Sequence, residues 1–438
     1  MKQYMSYKSC RIRWIGQIPS EWKVSKVKYL ALENNSIFMD GDWINSEIIE
    51  SEGIRYLTTG NVGAGEYKEQ GDSFISEKSF SRLNCLTVLP GDVLISRLNE
   101  PIARACIVPD TYDKYVVAVD NVVLRPDIEW NKQYLVYCMN TSRYAEEAKL
   151  LAAGTTMQRI SRTKLGTLGL PKPPLTTQDK IVSYLNEVIK KIDVCIENKL
   201  HLSELLQESR TSIICSAITN GINTTCQLKD SGIEWLGYIP SHWSVVPAKA
   251  LFAQSKETRH ETDVQLTASQ KYGIISQEDY MEKQSYKIVL ADKGLENWKH
   301  VEPNDFIISL RSFQGGLEIS YIPGCITWHY IVLKPKAGVE PEYFKWLFKS
   351  PRYIQALQRT ANFIRDGQDL RFSNFVQVPL PLIPMDEQKE IADYLNKKTA
   401  RIDSIIADVT EQIEKLKEYR QSIISEAVSY THLTLPTS

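Results

Sequence analysis

The sequence predicts an α+β fold: two mixed α/β domains, each leading into a long helix, the two helices forming an antiparallel coiled coil in a pseudo-twofold tandem repeat. Three observations predict it. The chain repeats itself internally, prolines divide each half into a divergent and a well-matched part, and the well-matched parts carry apolar residues at seven-residue spacing.

The repeat fixes the architecture before any motif is interpreted. Trp14-Ile15-Gly16-Gln17-Ile18-Pro19-Ser20-Glu21-Trp22 returns 221 residues later as Trp235-Leu236-Gly237-Tyr238-Ile239-Pro240-Ser241-His242-Trp243, with six identities in nine positions. Pro90 to Ser96 pairs with Pro303 to Ser309 at an offset of 213, so insertions separate the halves. Gln178, Tyr184, Leu185, Asn186, Ile192, Asp193, Arg210, Ser212, Ile213 and Ile214 then match Gln388, Tyr394, Leu395, Asn396, Ile402, Asp403, Arg420, Ser422, Ile423 and Ile424 at a constant 210.

Pro171, Pro173 and Pro174 in one half, and Pro379, Pro381 and Pro384 in the other, mark the division, because proline stops an element and favours an extended entry to the next. Before it, Val88 to Ser96, Tyr115 to Leu124, Phe306 to Leu310 and Tyr330 to Leu333 are expected as strands. Lys132 to Ala153 and Pro341 to Arg359 are expected as helices. No βαβ periodicity runs through either half.

After the prolines, Gln178 to about Ile218 and Glu387 to about Val428 are free of Pro and Gly. Each can run for about 60 Å at 1.5 Å per residue. Ile402, Val409, Leu416 and Ile423 fall seven apart, with Ile405 and Tyr419 near the intervening positions, the pattern of a coiled-coil seam. Ile192, Leu206 and Ile213 hold the same positions in the first copy, Lys199 interrupts, and Cys195, Leu202 and Ser209 form the other row. One imperfect amphipathic helix alone is marginal, so its partner is expected to be its own repeat copy. The domains follow: 1–175 and 223–384, with helices at 176–222 and 385–428. Residues 429–438 have no counterpart after Ala217 and are set aside as an unpatterned tail, truncated or non-native.

With 52 Lys and Arg against 53 Asp and Glu, the whole-chain charge does not advertise a polyanionic partner. A DNA reader needs a basic surface only where it touches phosphate. No apolar run of about 18 residues occurs, so no membrane partner and a cytoplasmic location are expected. The eight cysteines lack framework spacing and are expected reduced and mostly buried; the six histidines are dispersed, and no metal site is expected. There is no GxxxxGK[ST], and Lys172-Pro173-Pro174-Leu175 lacks the flanking residues of an adenine methyltransferase motif. Gly60, Gly63 and Gly65 form no GxGxxG, and the pairing of Asp110 or Asp127 with Glu197 and Lys199 as nuclease residues fails because the latter two lie in the helix.

This organisation resembles the specificity subunit of type I restriction-modification systems. The resemblance covers nearly the whole chain, through the Trp-flanked Ile-Pro entries, the run Gly154-Thr155-Thr156-Met157-Gln158-Arg159-Ile160, and the helix leads Pro174 to Gln178 and Pro384 to Gln388. The second half departs at Asp366-Gly367-Gln368-Asp369-Leu370, where the Gly-Thr-Thr character is lost. The resemblance implies two target-recognition domains that each read half of a bipartite double-stranded DNA site, and paired helices that hold them apart and dock two modification (methyltransferase) subunits. It also implies ATP-driven restriction subunits. S-adenosylmethionine, ATP and Mg would be bound by those partners, and this chain would be non-catalytic.

Base reading needs donors and acceptors on loops held by a rigid scaffold. The candidates for DNA contact are Thr59, Asn61, Arg97, Asn99, Arg104, Gln158 and Arg159 in the first half, and Ser269, Gln270, Lys271, Arg311, Gln314, Gln368 and Arg371 in the second. Trp14, Trp22, Trp235 and Trp243 are expected to anchor the chain to its core rather than to stack on bases. Two other classes account for part of the pattern: a coiled-coil adaptor joining two protein-binding domains, and an enzyme with an active site in each half. The first leaves the Arg, Gln and Asn loops unexplained, and the second lacks a repeated acid, base or nucleophile.

Overall fold

A computed structural model describes residues 6–10, 12–98, 100–154, 157–284, 294–310, 312–360 and 370–429. The chain divides into two compact units, one of Met1–Lys199 with the segment that begins at Glu411, the other of Leu200–Thr410. Both long helices contribute to both units, since one runs Leu175–Asn220 and the other Met385–Ser429.

The first unit is built on a four-stranded antiparallel sheet in the order Ile37–Asp40, Asn121–Arg125, Val93–Ser96, Ala105–Ile107. Successive side chains on a strand face opposite ways, and here both faces are covered. Val122 and Leu124, with Val93 and Ile95, enter the larger core against the helices. Val123 and Leu94 enter a smaller core with Leu57, Val62 and Val117. A second sheet, in the order Phe74–Ile75, Ile54–Leu57, Tyr115–Val117, contains a parallel pair and closes over that smaller core.

The second unit repeats the frame, with Phe252–Gln254, Ile331–Pro335, Phe306–Ile308 and Glu318–Ile319 in the corresponding order. Phe306, Ile308 and Leu333 face the large core, and Ile307 and Val332 the small one. The second unit also has an antiparallel hairpin, Leu266–Ser269 with Gly273–Ser276, and keeps the parallel contact only as a single bridge between Gln265 and Cys325.

The repeated sequence positions make repeated bonds. Trp14 Nε1 donates to Gly169 O at 3.1 Å and Trp235 Nε1 to Pro379 O at 3.2 Å. Each of these rings meets a buried tyrosine edge-on, Tyr144 at 5.8 Å and Tyr353 at 5.5 Å. Trp22 and Trp243 are fully buried, so all four act as anchors. Gln178, buried at the head of the first helix, accepts from Asn131 N at 2.9 Å and donates to Pro173 O at 3.0 Å; Gln388 accepts from Glu340 N at 2.8 Å and donates to Ile383 O at 2.8 Å. A buried amide must find partners, which explains why this residue recurs.

The helices run antiparallel. In the first unit Arg420 Nε lies 3.0 Å from Asp193 and Lys199 Nζ donates to Gln412 at 2.5 Å; in the second, Arg210 Nε lies 2.8 Å from Asp403. The first unit's core takes Ile181, Leu185 and Ile192 from one helix and Ile423, Ile424, Ala427 and Val428 from the other. The second unit's core takes Ile214, Ala217 and Ile218 together with Ile391, Ala392 and Leu395.

The structure corrects several expectations. Ile405 and Tyr419 are exposed, and the seam's second row falls one residue later, at Thr399, Ile406 and Ile413; in the first helix it falls at Ile196 and Ser203, leaving Leu202 exposed. The 132–153 helix is two helices, Lys132–Met139 and Ser142–Leu151, because Thr141 accepts from Tyr144 N and starts a new one. The 341–359 helix breaks likewise at Ser350, which caps Pro351–Arg359. The strand expected over 115–124 splits into Tyr115–Val117 and Asn121–Arg125, which serve different sheets. All eight cysteines are free, but only Cys85, Cys106, Cys138 and Cys325 are buried; burial pushes the Cys106 thiol up to about 12. Of the segment set aside as a tail, Ser429 ends the second helix and 430–438 lie outside the described residues. Among the described residues no helix is long and apolar enough to cross a membrane.

Candidate nucleic-acid interface

In the first unit the loops chosen from sequence converge. Leu98 bridges Arg159, Ala153 and Arg159 exchange backbone bonds at 2.9 Å each way, and Ile160 N donates to Arg97 O at 3.0 Å. The turn between Ala153 and Arg159 requires Gly154, whose φ is +110° and whose added Cβ would stand 2.4 Å from Met157 O. Arg104 joins the third loop: Nη2 donates to Thr59 O at 2.8 Å, Nε to Val62 O at 2.6 Å and Nη1 to Leu98 O at 3.0 Å.

These contacts sort the candidates. Arg104 is bound to carbonyls on two loops, and burial holds its guanidinium below its ordinary value, so its work is to fasten loops together. Asn61 is buried; Nδ2 donates to Lys68 O and Gln70 O at 3.0 and 2.9 Å, and Oδ1 accepts from Thr58 N at 2.9 Å. Its amide shapes the loop. Thr59 sits half-buried in the same turn.

Arg97 and Arg159 differ. Arg97 is 6% exposed, donates to Val119 O and lies 3.2 Å from Asp40; burial lowers its pKa while Asp40 opposes that shift. Arg159 is exposed and meets Asp120 at 2.7 Å. Arg97, Ala153, Gly154, Arg159, Ser161 and Lys164 line a cleft of about 460 Å³. Arg97 Nε, both amide atoms of Asn121 and Gln158 Oε1 are buried without a hydrogen-bond partner among the described residues. Leaving such a group unpaired costs about 1–3 kcal/mol, and a bound polar partner or water would recover it. Asn99 lies outside the described residues.

Sequence reasoning missed Arg162 and Lys164 beside this cleft, and the carboxylates that hold its cations. Arg162 Nε lies 3.1 Å from Asp40 and Lys164 Nζ donates to Leu151 O at 3.0 Å. The run Arg159-Ile160-Ser161-Arg162-Thr163-Lys164 carried that signal.

In the second unit Ser269, Gln270 and Lys271 form the hairpin tip, where Ser269 Oγ accepts from the amides of Lys271 and Tyr272 at 3.3 Å. Gln270 lies over Gly315, next to the exposed Gln314; a Cβ there would stand 2.8 Å from Gln270 Nε2. Lys271 Nζ lies 5.1 Å from the Tyr272 ring centre. Arg371 is exposed before the helix Phe372–Phe375, its side chain in no hydrogen bond or ion pair among the described residues. Arg311 and Gln368 lie outside the described residues.

Fold and site define a tandem protein: one frame used twice, with different polar loops at corresponding places. The chain belongs to the family of type I restriction modification DNA specificity domains, which matches residues 19–202 and again 240–415. Over 428 residues it is 23% identical to a putative type I restriction enzyme MjaX specificity subunit of Methanocaldococcus jannaschii, covering 92% of each chain. Its fold is that of a chain from a structure on complex assembly and conformational transition of the type I R-M system, at a TM-score of 0.69, 15% identity and coverage of 94% of this chain and 98% of that one. The HsdS subunit from Thermoanaerobacter tengcongensis aligns at a TM-score of 0.54 and 15% identity, over 94% and 97% of the two chains. The chain is thus a non-catalytic specificity subunit with its recognition domains in tandem. Neither the adaptor nor the twin-enzyme reading finds support in these relatives.

Proposed function

We propose that each unit reads one half of a bipartite double-stranded DNA site, and that the paired helices dock two modification subunits, with restriction subunits completing the assembly. S-adenosylmethionine, ATP and Mg are then the business of those partners, in keeping with a sequence that has no GxxxxGK[ST] and whose Lys172-Pro173-Pro174-Leu175 lacks the flanking residues of an adenine methyltransferase motif.

The observation that carries this reading is the cleft beside Arg97, Arg159 and Lys164 in the first unit. Arg159 can exchange Asp120 for a phosphate, and the half-buried Gln158 amide, whose Oε1 is enclosed without a partner among the described residues, would turn outward to meet a base edge. Phosphate contacts fix register, and such amide groups discriminate bases. The Ser269 to Lys271 tip and Gln314 supply the second unit's donors. Thr59, Asn61 and Arg104 support the reading loops from behind.

The test is binding of duplex DNA by the chain with its modification subunit across a salt series. Affinity should fall steeply with salt and the sequence preference should persist. Salt-independent binding, or none, overturns the reading.

A further inference from the structure

Outside the proposed DNA surface, two of the six histidines, 40 residues apart in the chain, meet in the second unit. The rings of His260 and His300 stack with centres 3.9 Å apart and planes 28° from parallel. Glu257 Oε1 lies 3.2 Å from His260 Nε2, and one ligating atom from each of Glu257, His260 and His300 falls within 4.8 Å of the other two. Glu302 Oε1 lies 2.7 Å from His300 Nε2. His300 is buried while Glu257, His260 and Glu302 reach solvent, so the group is open to entry from one side.

Behind His300 stands a second carboxylate. Asp263 Oδ2 lies 2.8 Å from His300 Nδ1 and also accepts the His260 backbone N–H at 2.8 Å. With a carboxylate oxygen at hydrogen-bond distance from each nitrogen, the ring as it stands donates from both; a metal that takes Nε2 displaces the proton shared with Glu302 and leaves Nδ1–H donating to Asp263. Metal-ligating histidines are oriented in this way, by a carboxylate on the other nitrogen.

We infer that Glu257, His260 and His300 form a site for a divalent transition metal of the zinc class, with Asp263 orienting His300. Two imidazole nitrogens and one carboxylate oxygen, with the remaining positions open to water, suit zinc, whereas calcium and magnesium prefer oxygen alone. Lys334 Nζ, 3.0 Å from Glu257 Oε2, occupies one carboxylate oxygen and leaves Oε1 for the metal. The backbone is already in place: Arg259 N donates to Trp298 O at 2.9 Å and His300 N to Glu257 O at 3.1 Å. Metal would staple residues 257–263 to the strand Lys299–Val301 and so stabilise the second unit. At the offset of 213 that holds in this region, His300 corresponds to Thr87, so the first half has no equivalent ligand.

The full chain, stripped with chelator, is titrated with zinc against a chromophoric competitor and with cobalt by visible spectroscopy; thermal unfolding is followed with and without zinc. One zinc per chain, cobalt bands of a four- or five-coordinate nitrogen and oxygen site, and a zinc-dependent rise in unfolding temperature are expected. His260→Ala and Glu257→Gln, both at exposed positions and so expected to fold, should each weaken zinc at least tenfold. Asp263→Asn should weaken it about 10- to 100-fold. His242→Ala, a histidine outside the cluster, should bind as the parent does. If His260→Ala and the parent bind zinc equally, or the parent shows no saturable binding, the cluster is an ion-pair network only and the metal site is refuted.

Discussion

Arg104 and Arg159 carry the same guanidinium, yet their surroundings assign opposite consequences to its loss. Arg104→Ala strands carbonyls of Thr59, Val62 and Leu98, and should lower stability by about 2–3 kcal/mol, measured by denaturant unfolding. Arg159→Ala removes an exposed pair, so stability should hold within about 0.5 kcal/mol. Its DNA affinity should fall and its salt slope drop by about one. The sequence could not separate these two, nor reveal that Asn61 spends its amide on its own loop, because burial is decided by residues far along the chain. Acid behaviour is also set residue by residue. Burial would raise the Asp127 carboxyl, but Ser36 Oγ at 2.6 Å and the amides of Leu32 and Glu33 at 2.9 and 3.0 Å outweigh it and hold it below its ordinary value. A depressed carboxyl contributes stability above its unfolded value of about 3.9, and that contribution is lost as pH falls through the folded value. Asp127→Asn should therefore show a shallower loss of stability between neutral pH and pH 3 in urea titrations.

Among the elements, the two helices were the most legible part of the chain, because a seven-residue period persists whatever surrounds it. Only the second row was misplaced. Spacings of three then four, and four then three, both satisfy a heptad, and only packing chooses between Ile405 and Ile406. The breaks at Thr141 and Ser350 were visible as capping residues, but an apolar pattern continuing on both sides hid them. The seam's strength lies in its apolar members rather than its ion pairs. Arg420 and Asp193 are both partly exposed, and a double-mutant cycle should give them less than about 1 kcal/mol. Ile423→Ala, in the first unit's core, should cost about 2–5 kcal/mol by thermal or denaturant unfolding.

For the whole molecule, the shared frame and dissimilar loops predict that recognition can be exchanged by halves. Replacing residues 1–175 with the matching domain of a related protein should alter one half of the methylated site and spare the other, as methylome mapping would report. If both half-sites changed together, independent reading would be wrong. The tandem plan was readable from sequence because a repeat needs no knowledge of contacts. The antiparallel pairing expected of the helices already brings the end of the second beside the first unit, but which of its residues enter that core was not readable, since repeat matching aligns segments without saying which core receives them.

That membership fixes an order of completion on the ribosome. The second unit has all its residues once Thr410 has been made, whereas the first, begun earlier, still lacks Ile423, Ile424, Ala427 and Val428. Roughly 220 residues separate Lys199 from Ile423, which at about 5–20 residues per second is a wait on the order of ten to forty seconds with an unfinished apolar surface. A nascent chain halted after Thr410 should accordingly resist protease across its later half and be cut within its earlier half, the reverse of the usual order of maturation.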